Sequence, residues 1–354
     1  MMDKLLKNKK LLYIIGAAVL VIIIAVIVIC TSANRYSFVL NEEEDGYIIT
    51  NYDGWSGKVK LPAKHKGRPV IAIGENAFAN EEMHTVILSD SIKDVGYKAF
   101  FGCKNLVNIQ LNDGLTALGV ASLGECDALV SVTIPDSIST IRPGTFENSD
   151  SLRSVKLPKS LTAIHHLAFM GCPGVSELSI SDGNEKYRVQ SNCLIEISSG
   201  TVVLAVSGAK IPDDGSITAI GEGAFMGLNG IRFLTIPESV THIGVSAFEG
   251  CPMLQEVEMK GVKTIGQRAF FGCRILSNVV IGNELSEVGA AAFGSCNALM
   301  NVYFLGGEVD LTLASIGENN SPLSLETVYF YSETKPEAEG RFWHYDEASK
   351  PAKW

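Results

Sequence analysis

A length of 354 residues suits two or three globular domains, unless the sequence repeats. The formal net charge of −10 argues against nucleic acid or an anionic membrane surface as partner. The 34 glycines and 12 prolines point to many turns, and hence to a long, thin core.

The N-terminal segment stands apart. Lys4, Lys7, Lys9 and Lys10 face a single acid, Asp3, and Leu11 to Cys30 carries no charge. As a helix rising about 1.5 Å per residue, this run spans about 30 Å, the thickness of a bilayer's hydrocarbon core. It predicts a cytoplasmic tail over 1–10, a transmembrane helix over Leu11–Cys30 and a tether over 31–36. The lysines place the N-terminus inside, so the rest of the chain is expected to be extracellular, held by a single pass through the cell membrane. A cleaved signal peptide is the alternative, but its apolar region would be about 7–15 residues long. A lipidated Cys30 would call for a small residue before it, where Ile29 stands. Because the first thirty residues carry a net +3, the remainder carries −13.

Residues 37–60 read as an N-terminal cap. Phe38 to Asn51, with Glu42 to Gly46 at its tip, forms a hairpin that would cover an open sheet edge. From 61 to 304 the chain repeats. The dipeptides Ala77-Phe78, Ala99-Phe100, Ser122-Leu123, Thr145-Phe146, Ala168-Phe169, Ala224-Phe225, Ala247-Phe248, Ala269-Phe270 and Ala292-Phe293 follow at steps of 22, 23, 23, 23, 56, 23, 22 and 23. Each unit reads Leu-x-x-Val-x-Ile-Pro-x-Ser-Leu-x-x-Ile-Gly-x-x-Ala-Phe-x-x-Cys. One unit cannot bury its apolar side alone, so the units must stack. Val-x-Ile has the period of a strand, with both apolar residues inward. Pro135, Pro158 and Pro237 follow it and end the ladder, lacking an amide hydrogen. The Ala-Phe pair is expected in a short helical or irregular turn opposite, its rings stacked in a column. Arg142 and His165 replace the turn glycine in two units, so that position needs no positive φ.

The step of 56 marks an insertion over 181–210. Cys193–Ile197 and Val202–Val206 read as two strands around Ser198-Ser199-Gly200, a hairpin expected as a loop on one side of the stack. Residues 305–354 read as a last strand and a C-terminal cap, with Trp343, Tyr345 and Trp354 over the final Phe layer. Cys103, Cys126, Cys172, Cys251, Cys273 and Cys296 share one register. Their stacked Cβ bonds run parallel, which suits buried thiols rather than disulfides.

This repeat resembles the BspA-type leucine-rich repeats of bacterial surface proteins, over roughly Leu61 to Phe330. Tyr47-Ile-Ile-Thr50 and Gly67 to Gly74 resemble the usual opening of such arrays. Thr327 to Thr334 and Phe342 to Tyr345 resemble closing segments of relatives from Gram-positive gut bacteria. The resemblance implies a leucine-rich-repeat solenoid, with a parallel β-sheet on one face and short turns on the other. It implies a surface or secreted interaction protein without naming a ligand.

Other signals are explained by the repeat. Gly221 to Gly227 imitates a dinucleotide loop with its last gap one residue too long. Asn41, Glu43, Asp45 and Gly46 imitate half a calcium loop, but Tyr52 stands where its glutamate belongs. His165-His166 cannot share a helix face. No cofactor, metal or catalytic motif is expected, and the chain reads as a non-enzyme. The leading reading is a membrane-anchored extracytoplasmic protein that binds a protein or glycan of the cell envelope or host surface. The alternatives are a structural envelope protein, or a secreted adhesin if the N-terminal segment is cleaved. Outward positions of the strands toward the N-terminus are small or polar, such as Asn108, Gln110, Ser131 and Thr133. Toward the C-terminus they become Phe233, Glu256, Glu258, Asn278, Val280, Asn301, Tyr303, Thr327 and Tyr329, the expected ligand-binding face; the alternative for Tyr303 and Tyr329 is that they lean on the C-terminal cap, which explains Phe233 and Val280 less well.

Overall fold

A computed structural model describes residues 35–54, 57–337 and 340–354. The expected tail, transmembrane helix and most of the tether lie outside the described residues. Among the described residues no helix is long and apolar enough to cross a membrane.

The N-terminal hairpin pairs Tyr36–Leu40 antiparallel with Tyr47–Tyr52. Its tip is organised by Asn41, whose Oδ1 accepts from the amides of Asp45 (3.1 Å) and Gly46 (3.0 Å). The Asn41 amide donates to the carboxylates of Glu43 and Asp45, both at 2.8 Å. The run that imitates a calcium loop is thus a side-chain-stapled turn. Tyr47–Tyr52 then pairs in parallel with Arg68–Ile73, which makes the hairpin the first layer of the stack.

Each following layer contributes a front strand and a two-residue side strand. The front strands of the first half are Lys58–Lys60, Thr85–Ile87, Asn108–Gln110, Ser131–Thr133, Ser154–Leu157 and Glu177–Ile180. They pair in parallel with like repeat positions opposed, as in Val86↔Ile109 and Val132↔Val155↔Leu178. The central residue of each points inward and is buried. On the opposite side the Ala-Phe turns stack their rings. Tyr52, Phe78 and Phe100 form one column at 5.0 Å spacings, Phe146 and Phe169 a pair at 5.2 Å, and Phe225, Phe248, Phe270 and Phe293 another column at 4.9, 5.1 and 5.2 Å.

The turn glycines answer to crowding between layers. A Cβ on Gly119 would lie 2.5 Å from the carbonyl carbon of Gly96, and one on Gly266 equally close to that of Gly244. Positive φ falls two residues later instead, at Asn76, Lys98, Ala121, Ser246, Arg268 and Ala291. Each turn glycine donates its amide to the layer before, as from Gly119 to Val95 at 2.7 Å. His165 makes the same bond to Ile141 at 3.0 Å, whereas among the described residues Arg142 makes none. The side ladder breaks between Ala117–Leu118 and Thr140–Ile141, and the front sheet between Asn108–Gln110 and Ser131–Thr133. The layer in between also carries Leu123 for Phe, which interrupts the ring column, and Ser122 for Ala, whose buried hydroxyl has no partner among the described residues.

The seven cysteines from Cys103 to Cys296 are free and buried. Six of them share a role. The thiols of Cys103, Cys126, Cys172, Cys251, Cys273 and Cys296 point at the carbonyl of Phe78, Phe100, Phe146, Phe225, Phe248 and Phe270, at 2.8–3.4 Å. Each ties its layer to the preceding one. Ser149 does the same toward Leu123 at 3.4 Å, in a layer without the cysteine. Burial pushes the thiols of Cys103 and Cys296 up to about 12 and that of Cys172 to about 11, so they stay protonated.

The insertion departs from expectation. It is no surface loop but a three-stranded wall across the core: Tyr187–Gln190, Cys193–Glu196 and Thr201–Ala205, joined antiparallel. Thr201–Ala205 then pairs in parallel with Ala219–Ile220 and so starts the side ladder of the second half. Leu194, Leu204 and Val206 pack into the core of the first half. Cys193, Ile195, Val202 and Ala205 pack into that of the second. Both sides of the hairpin are apolar, so neither can face water, and two cores result.

Candidate functional site

The second half builds its front sheet from Phe233–Thr235, Glu256–Met259, Asn278–Ile281, Asn301–Phe304 and Val328–Tyr331, all parallel. The register aligns two outward rows. One runs Phe233, Glu256, Asn278, Asn301; the other Thr235, Glu258, Val280, Tyr303, Tyr329. Eight of the nine residues expected on the ligand-binding face fall in these rows. Thr327 lies just outside, its hydroxyl spent on the turn carbonyls of Pro322 (2.8 Å) and Ser324 (2.9 Å).

The C-terminal segment corrects two expectations. The last Phe layer is closed not by Trp343, Tyr345 and Trp354 but by residues 308–323. Leu311 from the helix Glu308–Leu313 and Leu323 join the second core, and Asn320 Oδ1 accepts from the Phe293 amide at 3.1 Å. Trp343 lies on the outward side of the sheet instead. The strand Phe342–Tyr345 pairs in parallel with Val328–Tyr331, and Pro351–Lys353 returns antiparallel to it. Trp343 is fully buried against Val280, Tyr303, Tyr331 and Tyr345, its indole donating to the Phe304 carbonyl at 3.0 Å. Trp354 stacks on His344 at 3.8 Å.

The cap therefore covers part of the expected face. Val280 and Tyr303 are each only 6% exposed, so neither is the open apolar group that its register implies. Tyr329 is held by the cap as well: Arg341 donates to its hydroxyl at 3.0 Å, and Lys353 lies 4.3 Å from its ring centroid. The Lys353 ammonium, which favours the phenolate, holds its pKa below the usual tyrosine value. Glu258 pairs with Lys260 at 2.7 Å and accepts from the Tyr345 hydroxyl at 3.4 Å.

What stays open is a cleft of about 260 Å³ where the cap ends. Its floor is Phe233, Thr235, Glu256, Glu258, Asn278, Val280 and Tyr303, and its wall is Ser349, Lys350 and Pro351. Phe233 is 63% exposed. An amide relay runs along one row: Asn301 donates to Asn278 Oδ1 at 2.8 Å, and Asn278 donates to Glu256 Oε1 at 3.0 Å. The relay fixes the Glu256 carboxylate beside Phe233. Burial, then the neighbouring Tyr329 and Glu256, raise the pKa of Tyr303 and keep its hydroxyl a neutral donor. Within the described residues that hydroxyl has no hydrogen-bond partner. Sequence reasoning missed Thr235, which the register with Glu258 places in the cleft, and the wall residues, which belong to no repeat.

His165 and His166 lie in a turn on the other side. His165 Nδ1 accepts from the Leu167 amide at 3.2 Å, and burial depresses the pKa of His166. Among the described residues no group of His, Cys, Asp and Glu could hold a metal ion.

Comparison with known proteins agrees with this architecture. The model of the BspA type leucine rich repeat region matches in six copies, over residues 71–196 and 205–319. No curated protein matches the chain. Among solved structures, the chain is similar to the pneumococcal vaccine antigen PcpA at 16% identity, covering 84% of this chain and 92% of that one, with a TM-score of 0.57. It is similar to a leucine-rich repeat protein from Bacteroides ovatus at 18% identity, covering 84% and 89%, with a TM-score of 0.51. A leucine-rich repeat protein from Eubacterium ventriosum shares 18% identity over 76% and 82%, with a TM-score of 0.50. At such identities the likeness is one of fold. The gap between the two family matches falls within the insertion, and the matched repeats on either side fill more than half of the sequence: the chain belongs to the BspA-type leucine-rich-repeat family.

Proposed function

We propose that this protein is a membrane-anchored, extracytoplasmic binding protein of the bacterial envelope, and that it takes a protein or glycan ligand in the cleft at Phe233. The observation that carries the reading is an aromatic ring 63% exposed beside a carboxylate fixed by an amide relay. Exposed aromatics cost solubility and concentrate at binding hot spots. A rigid stack of layers holds such a site without reorganisation, which lowers the entropic cost of binding. The apolar run Leu11–Cys30 behind four lysines supports the anchor, with the C-terminus outside.

The test uses the full chain in its own cells. Protease added to wall-stripped cells should destroy the repeats and spare the N-terminus; a mature chain starting near Asn34 in the medium would show a secreted form instead. Envelope material cross-linked to the natural chain should be lost from Phe233→Ala. It should persist in a control carrying Gln110→Ala and Thr133→Ala. If all three chains capture the same material, this face is not the binding surface.

A further inference from the structure

The cleft's own chemistry narrows the ligand, and the narrower statement rests on the binding role proposed above. We propose that the cleft takes one unit of a neutral saccharide, its ring stacked on Phe233 and its hydroxyls shared between Tyr303, Thr235, Glu256 and Glu258.

Three observations converge on this class. The first is charge. The cleft carries both signs of charge: Lys260 pairs with Glu258 at 2.7 Å, Lys350 stands in the wall, and the Arg232 guanidinium lies 5.3 Å from the Phe233 centroid, beside the carboxylate of Glu256 in the floor. An incoming cation meets these three, and an incoming anion meets the two carboxylates. A neutral ligand meets neither penalty. The second is hydrogen bonding. Glu256 uses one carboxylate oxygen on Asn278, which leaves the other as an acceptor. Tyr303 is 94% buried, yet its hydroxyl has no partner within the described residues, and the residue lines the cleft. The hydroxyl is not sealed from the cleft, so a ligand that both donates and accepts can take the place of water on it. Vicinal hydroxyls do both. The third is shape. The space of about 260 Å³ lies below the usual ~300–1,000 Å³ of pockets that enclose a whole small ligand, so it admits one unit of a longer chain. Arg232 is tethered to Gln255 at 2.7 Å and takes one face of the Phe233 ring. The other face is left for the carbon–hydrogen face of a sugar.

The experiment is saturation-transfer NMR and calorimetry on the full chain, in a detergent without a sugar headgroup. The probes are maltotriose, mannobiose and N,N′,N″-triacetylchitotriose, with heparin and an oligolysine peptide as charged competitors. At least one neutral sugar should bind, with affinity reduced tenfold or more by Phe233→Ala and severalfold by Tyr303→Phe or Glu256→Gln. Unchanged thermal melting of Tyr303→Phe and Glu256→Gln separates lost contact from lost fold. Binding of none of the three sugars overturns the proposal, as does sugar binding that survives both Phe233→Ala and Tyr303→Phe. If only oligolysine or heparin binds, and Phe233→Ala abolishes it, the cleft is a binding site but not a saccharide site. The envelope cross-linking above, read on its own, separates failure of this assignment from failure of the binding role.

Discussion

Ser122 offers a test of the layer logic in which a substitution should stabilise the protein. Its hydroxyl is buried at the turn position held by Ala77, Ala99, Ala168, Ala224, Ala247, Ala269 and Ala292 in other layers, and it has no hydrogen-bond partner among the described residues. Thr145 occupies the same position one layer on, but its Oγ1 donates to the Arg142 carbonyl at 2.8 Å. An unsatisfied buried hydroxyl costs roughly 1–3 kcal/mol in lost hydration. Ser122→Ala removes that penalty and leaves a gap of one oxygen atom, which costs about 0.5 kcal/mol at ~24 cal/mol per Å³ of cavity. The net expectation is a gain of about 1–2 kcal/mol. In melting temperature this is a rise of about 2–8 °C, at the ~2–4 °C per kcal/mol of a domain this large. Urea titration followed by circular dichroism measures it. Ser246→Ala is the control of opposite sign: its hydroxyl donates to Glu249 Oε2 at 2.6 Å, and its loss should cost about 1 kcal/mol. If Ser122→Ala is no more stable than the natural chain, the hydroxyl is satisfied, as by a buried water, and the account of this layer is wrong.

Two further predictions follow from the packing. Cys273→Ala removes the interlayer donor to the Phe248 carbonyl, which keeps the Cys251 amide at 3.3 Å, and should cost about 1–2 kcal/mol as a lost small buried group, whereas Cys273→Ser keeps a donor, as Ser149 does, and should recover part of that loss in the same titration. Ile195→Ala in the wall should cost about 2–5 kcal/mol, as expected of a core layer; a change under 0.5 kcal/mol would show the insertion to be mere decoration.

The repeat made most of the core legible. Registered apolar positions, the ring column and the thiol positions all follow from a period of 22 or 23 residues, because each layer meets the same neighbours. The insertion was misread where that logic lapses. Cys193, Leu194 and Ile195 are three consecutive apolar residues, the pattern of a strand buried on both sides, and an exposed hairpin would have alternated. The cleft was half legible. Phe233 and Glu256 follow from register, but the bond from Tyr345 to Glu258 joins residues 87 apart that no repeat relates. Burial of Val280 and Tyr303 depends on that return of the chain, so their exposure could not be judged from the strands alone.

The wall across the core also bears on the order in which the chain becomes structured. The last residues of the first core are Leu204 and Val206, so everything that half needs is present once the chain has been made that far. Contacts between adjacent layers are local in sequence, which favours early and rapid closure. Cys193, Ile195 and Val202 would meanwhile present a raw apolar surface from the completed half, as a template for the Phe225 layer to assemble on. A chain that has emerged only as far as the insertion is therefore a finished but adhesive half, and it is exposed to aggregation until residues 217–225 follow.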